Sequence, residues 1–230
     1  MLEDGLSYPM QGDSWIGRLV IGGILLFLSF LIVPVFIFYG YLVRVLESTI
    51  EGDSEPPEWD DWGGLVVDGL KATVVGLVYG LIPTVVIVGI GAGLIGIGSA
   101  AGNDGGGLLA SFGLATILLL IPVLFLVYYL VPAALSNMAV EGRLGAAFDV
   151  GMLKRVVLTS DYFVAVLMPI VVGVVINVVA QVLILTIVGG LLVPFVMFYG
   201  QVAVFRMFGL AFAKHAPTDG GQATDVATTA

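Results

Sequence analysis

Four stretches of this chain carry no charged residue at all: Leu19–Val43, Ala72–Asn103, Gly105–Val140 and Tyr162–Phe205. Each exceeds the roughly 20 apolar residues that span the hydrocarbon core of a bilayer. A water-soluble domain covers its surface with polar groups, about a quarter of its residues being charged. Here 59% of residues are hydrophobic and 11% charged, and the mean hydropathy is +1.12. The runs lack the every-second-residue polarity of a membrane β-barrel. The pattern predicts an all-α polytopic transmembrane bundle, as a single integral membrane domain over residues 1–213.

The predicted spans are 15–46, 64–100, 108–137, 162–186 and 189–213. The first would be about 45 Å long at 1.5 Å per residue, longer than the membrane core, so it must tilt, kink or emerge. If residues 15–29 instead form a separate re-entrant or interfacial segment, the N-terminus changes sides. Residues 141–157 read as a polar connection, suited to a helix in the membrane plane. The Thr/Gly/Ala-rich residues 214–230 read as a disordered tail. Proline stands in every span, at Pro34, Pro83, Pro122, Pro132, Pro169 and Pro194, so kinked helices are expected.

An internal repeat runs through the chain. LIVPVFIFYG (Leu31–Gly40) aligns without gaps to LLVPFVMFYG (Leu191–Gly200), and LLIPVLFLVYYLV (Leu119–Val131) shares the proline and the Tyr-Leu-Val. The pair Glu51-Gly52 recurs as Glu141-Gly142, each followed by an Asp/Gly element and a lysine. Duplication makes spans one, three and five equivalent and parallel. Counting Lys and Arg near span ends, an N-terminus outside and a C-terminus in the cytoplasm puts only Arg18 on the outer face. The N-terminus has no basic stretch of the kind that precedes a signal-peptide core.

The chain has no cysteine and one histidine, His215, and its net charge is −9. No cysteine-ligated metal, thiolate or disulfide chemistry follows from it, and no His/Asp/Glu spacing matches a zinc site. A nucleophile, an acid–base group and a metal cannot be assembled into one constellation. The expectation is a non-enzymatic protein without cofactor or metal. The acidic balance disfavours nucleic acid. Membrane lipids, another copy of the chain or another membrane protein are the expected partners.

Two polar features remain. Residues 51–71, EGDSEPPEWDDWGGLVVDGLK, crowd six carboxylates ahead of the second span. Trp59 and Trp62, three apart, are spaced as interfacial anchors on one helical face. Asp60 and Asp61 stand where a following helix takes its N-cap, and the spacing is not that of an EF-hand loop. The Trp59, Asp60, Asp61 and Trp62 cluster is therefore a candidate docking or interfacial patch. Within the fourth span, Asn177 and Gln181 share a helix face. They read as interhelical hydrogen-bonding groups or as markers of a solute pathway, the first being preferred. Glycines four apart, Gly76–Gly80 and Gly89–Gly93, read as close helix-packing positions.

The segments YPMQGDSWIGRLVIGGILLF, VPVFIFYGYLVRVLE and the EGDSEPPEWDDWGGLVVDGLK loop resemble a family of uncharacterised membrane proteins, domain-of-unknown-function family 4013. The resemblance covers most of residues 8–213 and implies an archaeal, mostly halophilic, origin. It implies no activity, cofactor or catalytic residue. On either view the open functions are a membrane scaffold or interaction module and, alternatively, a small-solute or ion transporter or channel.

Overall fold

The computed structural model describes residues 2–102 and 106–214. The tail 215–230, with His215, lies outside the described residues. Among those described, the secondary structure is helical throughout. Five helical stretches are long and apolar enough to cross a membrane: Ile32–Glu51, Trp62–Ala100, Gly106–Glu141, Val166–Ile184 and Ile187–Ala213. The protein is an all-α polytopic membrane bundle.

In chain order the helices are α1 (Leu2–Ser7), α2 (Trp15–Phe27), α3 (Ile32–Glu51), α4 (Trp62–Gly76), α5 (Ile82–Ala100), α6 (Gly106–Leu118), α7 (Leu120–Glu141), α8 (Val150–Val157), α9 (Ser160–Ile184) and α10 (Ile187–Ala213). A π-helical turn at Leu77–Leu81 joins α4 to α5. Pro83, in the first turn of α5, has no N–H to donate to the preceding turn, and the wider turn accommodates it.

The region predicted as one span over 15–46 is two helices. The chain breaks at Leu28–Leu31, where its amides are satisfied by short local bonds such as Leu31 N to the Leu28 carbonyl (2.9 Å). α2 has 13 residues and is about 20 Å long, too short to cross alone. Its Gly22 and Gly23 lie against Phe198 and Phe195 of α10, so α2 runs antiparallel to α10. α3 then returns parallel to α10, with Phe38 beside Phe198 and Leu46 and Thr49 beside Gly209. The chain thus enters and leaves the bundle at the same end through a re-entrant hairpin.

Contacts tie that hairpin to both ends of the described chain. Arg18 binds the 52–61 loop (Nη1 to the Pro56 carbonyl, 2.7 Å), and Asp4 pairs with Arg206 near the end of α10 (3.6 Å). The N-terminal segment, the loop and the C-terminal end of α10 share one end of the bundle. Four more long apolar stretches follow, and Lys71 in the first of them donates to the Gly142 carbonyl just after the second (3.2 Å).

The repeat is physical. Phe38 and Phe198 hold equivalent positions and their rings touch, 6.2 Å between centroids. The glycine that follows each FY pair admits a neighbour: a Cβ on Gly40 would overlap the Leu65 carbonyl of α4, and one on Gly200 would overlap Ile176 of α9. The Glu-Gly pairs end α3 and α7 in the same way, with Gly52 (φ 96°) and Gly142 (φ 66°) left-handed, the usual helix stop. The next helices begin on Asp61 and Asp149, each accepting a backbone N–H three residues on. Asp149 therefore corresponds structurally to Asp61; Asp68, its counterpart by sequence spacing, lies mid-helix and pairs with Lys71.

The Gly76–Gly80 and Gly89–Gly93 pairs do not make the expected close packing. Gly76, Gly89 and Gly93 face open space, and Gly80 has only an ordinary contact with Val127. The close approach of α5 to α6 uses Gly91 and Gly98 against Gly113 and Gly106 instead. The buried core gathers at the loop end, around Leu46, Val75, Met138, Val156 and Phe212 and around Tyr8, Tyr41, Leu65 and Phe198.

Candidate functional site: an acidic loop held by its backbone

The 52–61 loop is short, acidic and proline-bearing, so it cannot make helical hydrogen bonds of its own. Its carbonyls need partners from elsewhere. The surrounding helices supply them in sequence. Arg206 Nη1 donates to the Asp53 carbonyl (2.8 Å) and the Tyr8 hydroxyl to that of Glu55 (3.0 Å). Arg18 Nη1 donates to Pro56 (2.7 Å) and the Tyr41 hydroxyl to Pro57 (3.1 Å). Arg44 takes the last two, Asp60 (3.0 Å) and Asp61 (3.2 Å), and also their carboxylates.

The consequence is a loop whose carbonyls face the protein and whose carboxylates face water. The side chains of Glu58, Asp60 and Asp61 are 60%, 77% and 71% exposed. Arg18 and Arg206 are buried. A guanidinium offers several donors in a fixed fork, which lets Arg18 also reach the Gln11 carbonyl and Glu58 (3.1 Å). Arg206 lies over the Tyr8 ring, 4.3 Å from its centroid, a cation–π arrangement. Burial pushes the Tyr8 hydroxyl above the ordinary phenol range, against the opposing pull of its Ser48 hydrogen bond and of Arg206.

The two tryptophans are in contact, their rings stacked 5.9 Å apart, but they take different roles. Trp59 lies in the loop, outside any helix, so the shared helical face fails. Its ring stacks on Tyr41 at 4.0 Å and its indole N–H donates to the Arg18 carbonyl (3.2 Å). Trp62 opens α4 and is 46% exposed. Asp60 is held by Arg44, and Asp61 caps α4 through Gly64 N (3.1 Å). All four residues therefore lie together, but Trp59 is part of the packing beneath the loop.

The second connector, 142–149, is held by the same device. Its carbonyls at Gly142, Ala146 and Ala147 accept from Lys71, Asn137 and Tyr79, while Phe148 stacks on Tyr79. Among the described residues, no group of three His, Cys, Asp or Glu side chains is placed to hold a metal ion.

Among the described residues, Asn177 and Gln181 do not bridge to another helix. Asn177 donates to the Gly173 carbonyl of its own helix (2.9 Å), and both residues are exposed, bordering a surface groove with Tyr128, Pro169 and Gly173. Helical spacing placed them on one face; it carried no information on what that face meets.

The residues that build the loop site, Tyr8, Arg18, Tyr41 and Arg206, do not stand out from spacing. The one available signal was an arginine embedded in apolar sequence, IGRLV and VFRMF, where an unpaired charge is costly.

A polytopic helical membrane protein with a loop of this kind is the class that the fold defines. A family model described as a protein of unknown function (DUF4013) matches residues 27–185, and the chain belongs to that family. The match runs from the last residue of α2 to the end of α9, so most of the N-terminal segment quoted for the resemblance, and α10, fall outside it. No curated protein and no solved structure matches the chain.

Proposed function

We propose that this protein is a non-enzymatic membrane interaction module, with the 52–61 loop as its docking platform. The observation that supports this reading is the capture of six loop carbonyls, at 53, 55, 56, 57, 60 and 61, by Tyr8, Arg18, Tyr41, Arg44 and Arg206. A loop held this way presents its exposed carboxylates in a fixed shape, at low entropic cost on binding. Its exposed carboxylates fit a basic surface on a second membrane protein or another copy of this chain.

With Arg18 moved to the loop's end of the bundle, every Lys and Arg lies there, and the positive-inside rule assigns that end to the cytoplasm. Both ends of the described chain then face the cytoplasm. The acidic surface suits an archaeal cell living in high salt, where the Debye length falls to about 3 Å.

The test is the stoichiometry of the protein extracted in native nanodiscs, wild type against the triple variant Glu58→Gln, Asp60→Asn, Asp61→Asn. Asparagine still caps α4, so the fold persists. A defined second subunit that the variant loses supports the platform. Single chains with lipid alone in both samples contradict it.

The alternative is a small-solute or ion transporter or channel. It rests on the polar groups Asn177, Gln181 and Gln201 bordering adjoining clefts in the bundle. Transport requires solute flux in proteoliposomes that changes in Asn177→Leu.

A further inference from the structure

We propose that the cleft between α7, α9 and α10 binds a neutral single-chain lipid whose head is a hydroxyl or a carbonyl. The cleft has a volume of about 460 Å³, within the range of small-molecule sites. It adjoins the groove of about 500 Å³ bordered by Asn177 and Gln181, the two sharing Tyr128, Pro169 and Gly173. Together they form one lateral opening toward the bilayer.

Its walls are leucine, valine and phenylalanine side chains, with no Asp, Glu, Lys or Arg. A charged head would find no counter-ion there. Two polar side chains line the inner cleft, Tyr128 and Gln201. Among the described residues neither has a hydrogen-bond partner. A hydrogen-bonding group left unpaired in hydrocarbon is costly, and a hydroxyl or carbonyl head satisfies both. Pro132 and Pro169 also line the cleft. Pro132 has no N–H for the Tyr128 carbonyl, which adds an acceptor beside the same space. A helix from a second protein is too thick: at about 10 Å across, about one turn would fill the volume.

The test uses the full chain in nanodiscs and a farnesol analogue with a photoreactive diazirine in its tail, with adducts mapped by peptide mass spectrometry. Adducts should concentrate on residues 124–135 and 201–208, and excess farnesol or decylubiquinone should dilute them. Competition by farnesol alone identifies a hydroxyl head, and by decylubiquinone alone a carbonyl head. Gly173→Leu should remove these adducts: a Cβ at Gly173 meets nothing within 4 Å, so the side chain enters the cleft without a clash. Leucine is also the better helix former, and an unchanged unfolding temperature verifies the fold. Gln201→Leu should weaken competition by about three- to tenfold, the worth of one hydrogen bond. Adducts spread evenly over the lipid-facing helices, adducts unaffected by Gly173→Leu, or competition by palmitate equal to that by farnesol would each overturn the proposal.

Discussion

Replacing Arg18 by methionine isolates the guanidinium from the packing of its stem. Arg18 is 3% exposed. Methionine keeps the apolar stem but loses the bonds to Pro56 (2.7 Å), Gln11 and Glu58 (3.1 Å). Gln11 is exposed and Pro56 is buried, so water replaces the first bond while the Pro56 carbonyl is stranded. A bond from a charged donor to a buried acceptor is worth about 1.5–3 kcal/mol. The Glu58 pair adds about 0–1 kcal/mol, because that carboxylate is largely in water. Against this, the variant no longer buries a charge whose Nε has no partner, which returns part of the loss. The net destabilisation is about 1–3 kcal/mol, concentrated at the loop.

The assay is acrylamide quenching of Trp59 in a background with Trp15 and Trp62 changed to Phe, together with unfolding in detergent. Quenching should rise in Arg18→Met and only partly so in Arg18→Lys, because an ammonium keeps the charge but lacks the fork. Unchanged quenching and unchanged unfolding in Arg18→Met would refute the reasoning.

Other outcomes follow from the same contacts. Gly69→Ala should destabilise the bundle by about 1–3 kcal/mol, since a Cβ there overlaps the Phe36 carbonyl; Gly76→Ala, where an added Cβ meets nothing within 4 Å, should be neutral or stabilising by about 0.5–1 kcal/mol, both read by unfolding in detergent. Shallow lipid-borne quenchers should reach Trp62, exposed at the start of α4, and largely spare Trp59 beneath the loop, measured with each tryptophan kept singly. The raised pKa of Tyr8 means that the folded state holds its phenol proton more tightly than the unfolded chain. The associated stability is present below the unfolded value of about 10 and is lost as pH rises through the folded value. Alkaline titration should destabilise the wild type above about pH 10 more than Tyr8→Phe.

What the sequence made legible was local or periodic. Uncharged runs located the long helices to within a few residues, because apolar length is what a bilayer demands. Asp61 as a helix N-cap and Gly52 and Gly142 as helix ends were readable because capping is decided within a turn of the chain. The repeat was readable because Phe38 and Phe198, which touch, sit in near-identical strings. The break at Leu28–Leu31 was legible only as an alternative, the separate segment 15–29. Ser29 lies within it and Pro34 close by, but such residues also occur in membrane helices that merely kink, so the apolar pattern continued the helix. That one miss separated Arg18 from the loop it binds. The loop site itself joins Tyr8, Arg18, Tyr41 and Arg206 across distant parts of the chain, and no spacing rule links such positions. Asn177 and Gln181 failed differently: their common face was right, but whether it meets a helix or the membrane depends on how α9 is turned within the bundle.

The central claim is that the N-terminal segment and the acidic loop form one surface at one end of the bundle. The chain has no cysteine, so single cysteines at Asp13 and Ser54, both exposed, can be introduced cleanly. In sealed vesicles of known orientation, a membrane-impermeant maleimide should label both positions from the same face. Labelling of Asp13→Cys and Ser54→Cys from opposite faces would contradict the re-entrant hairpin and the site built on it.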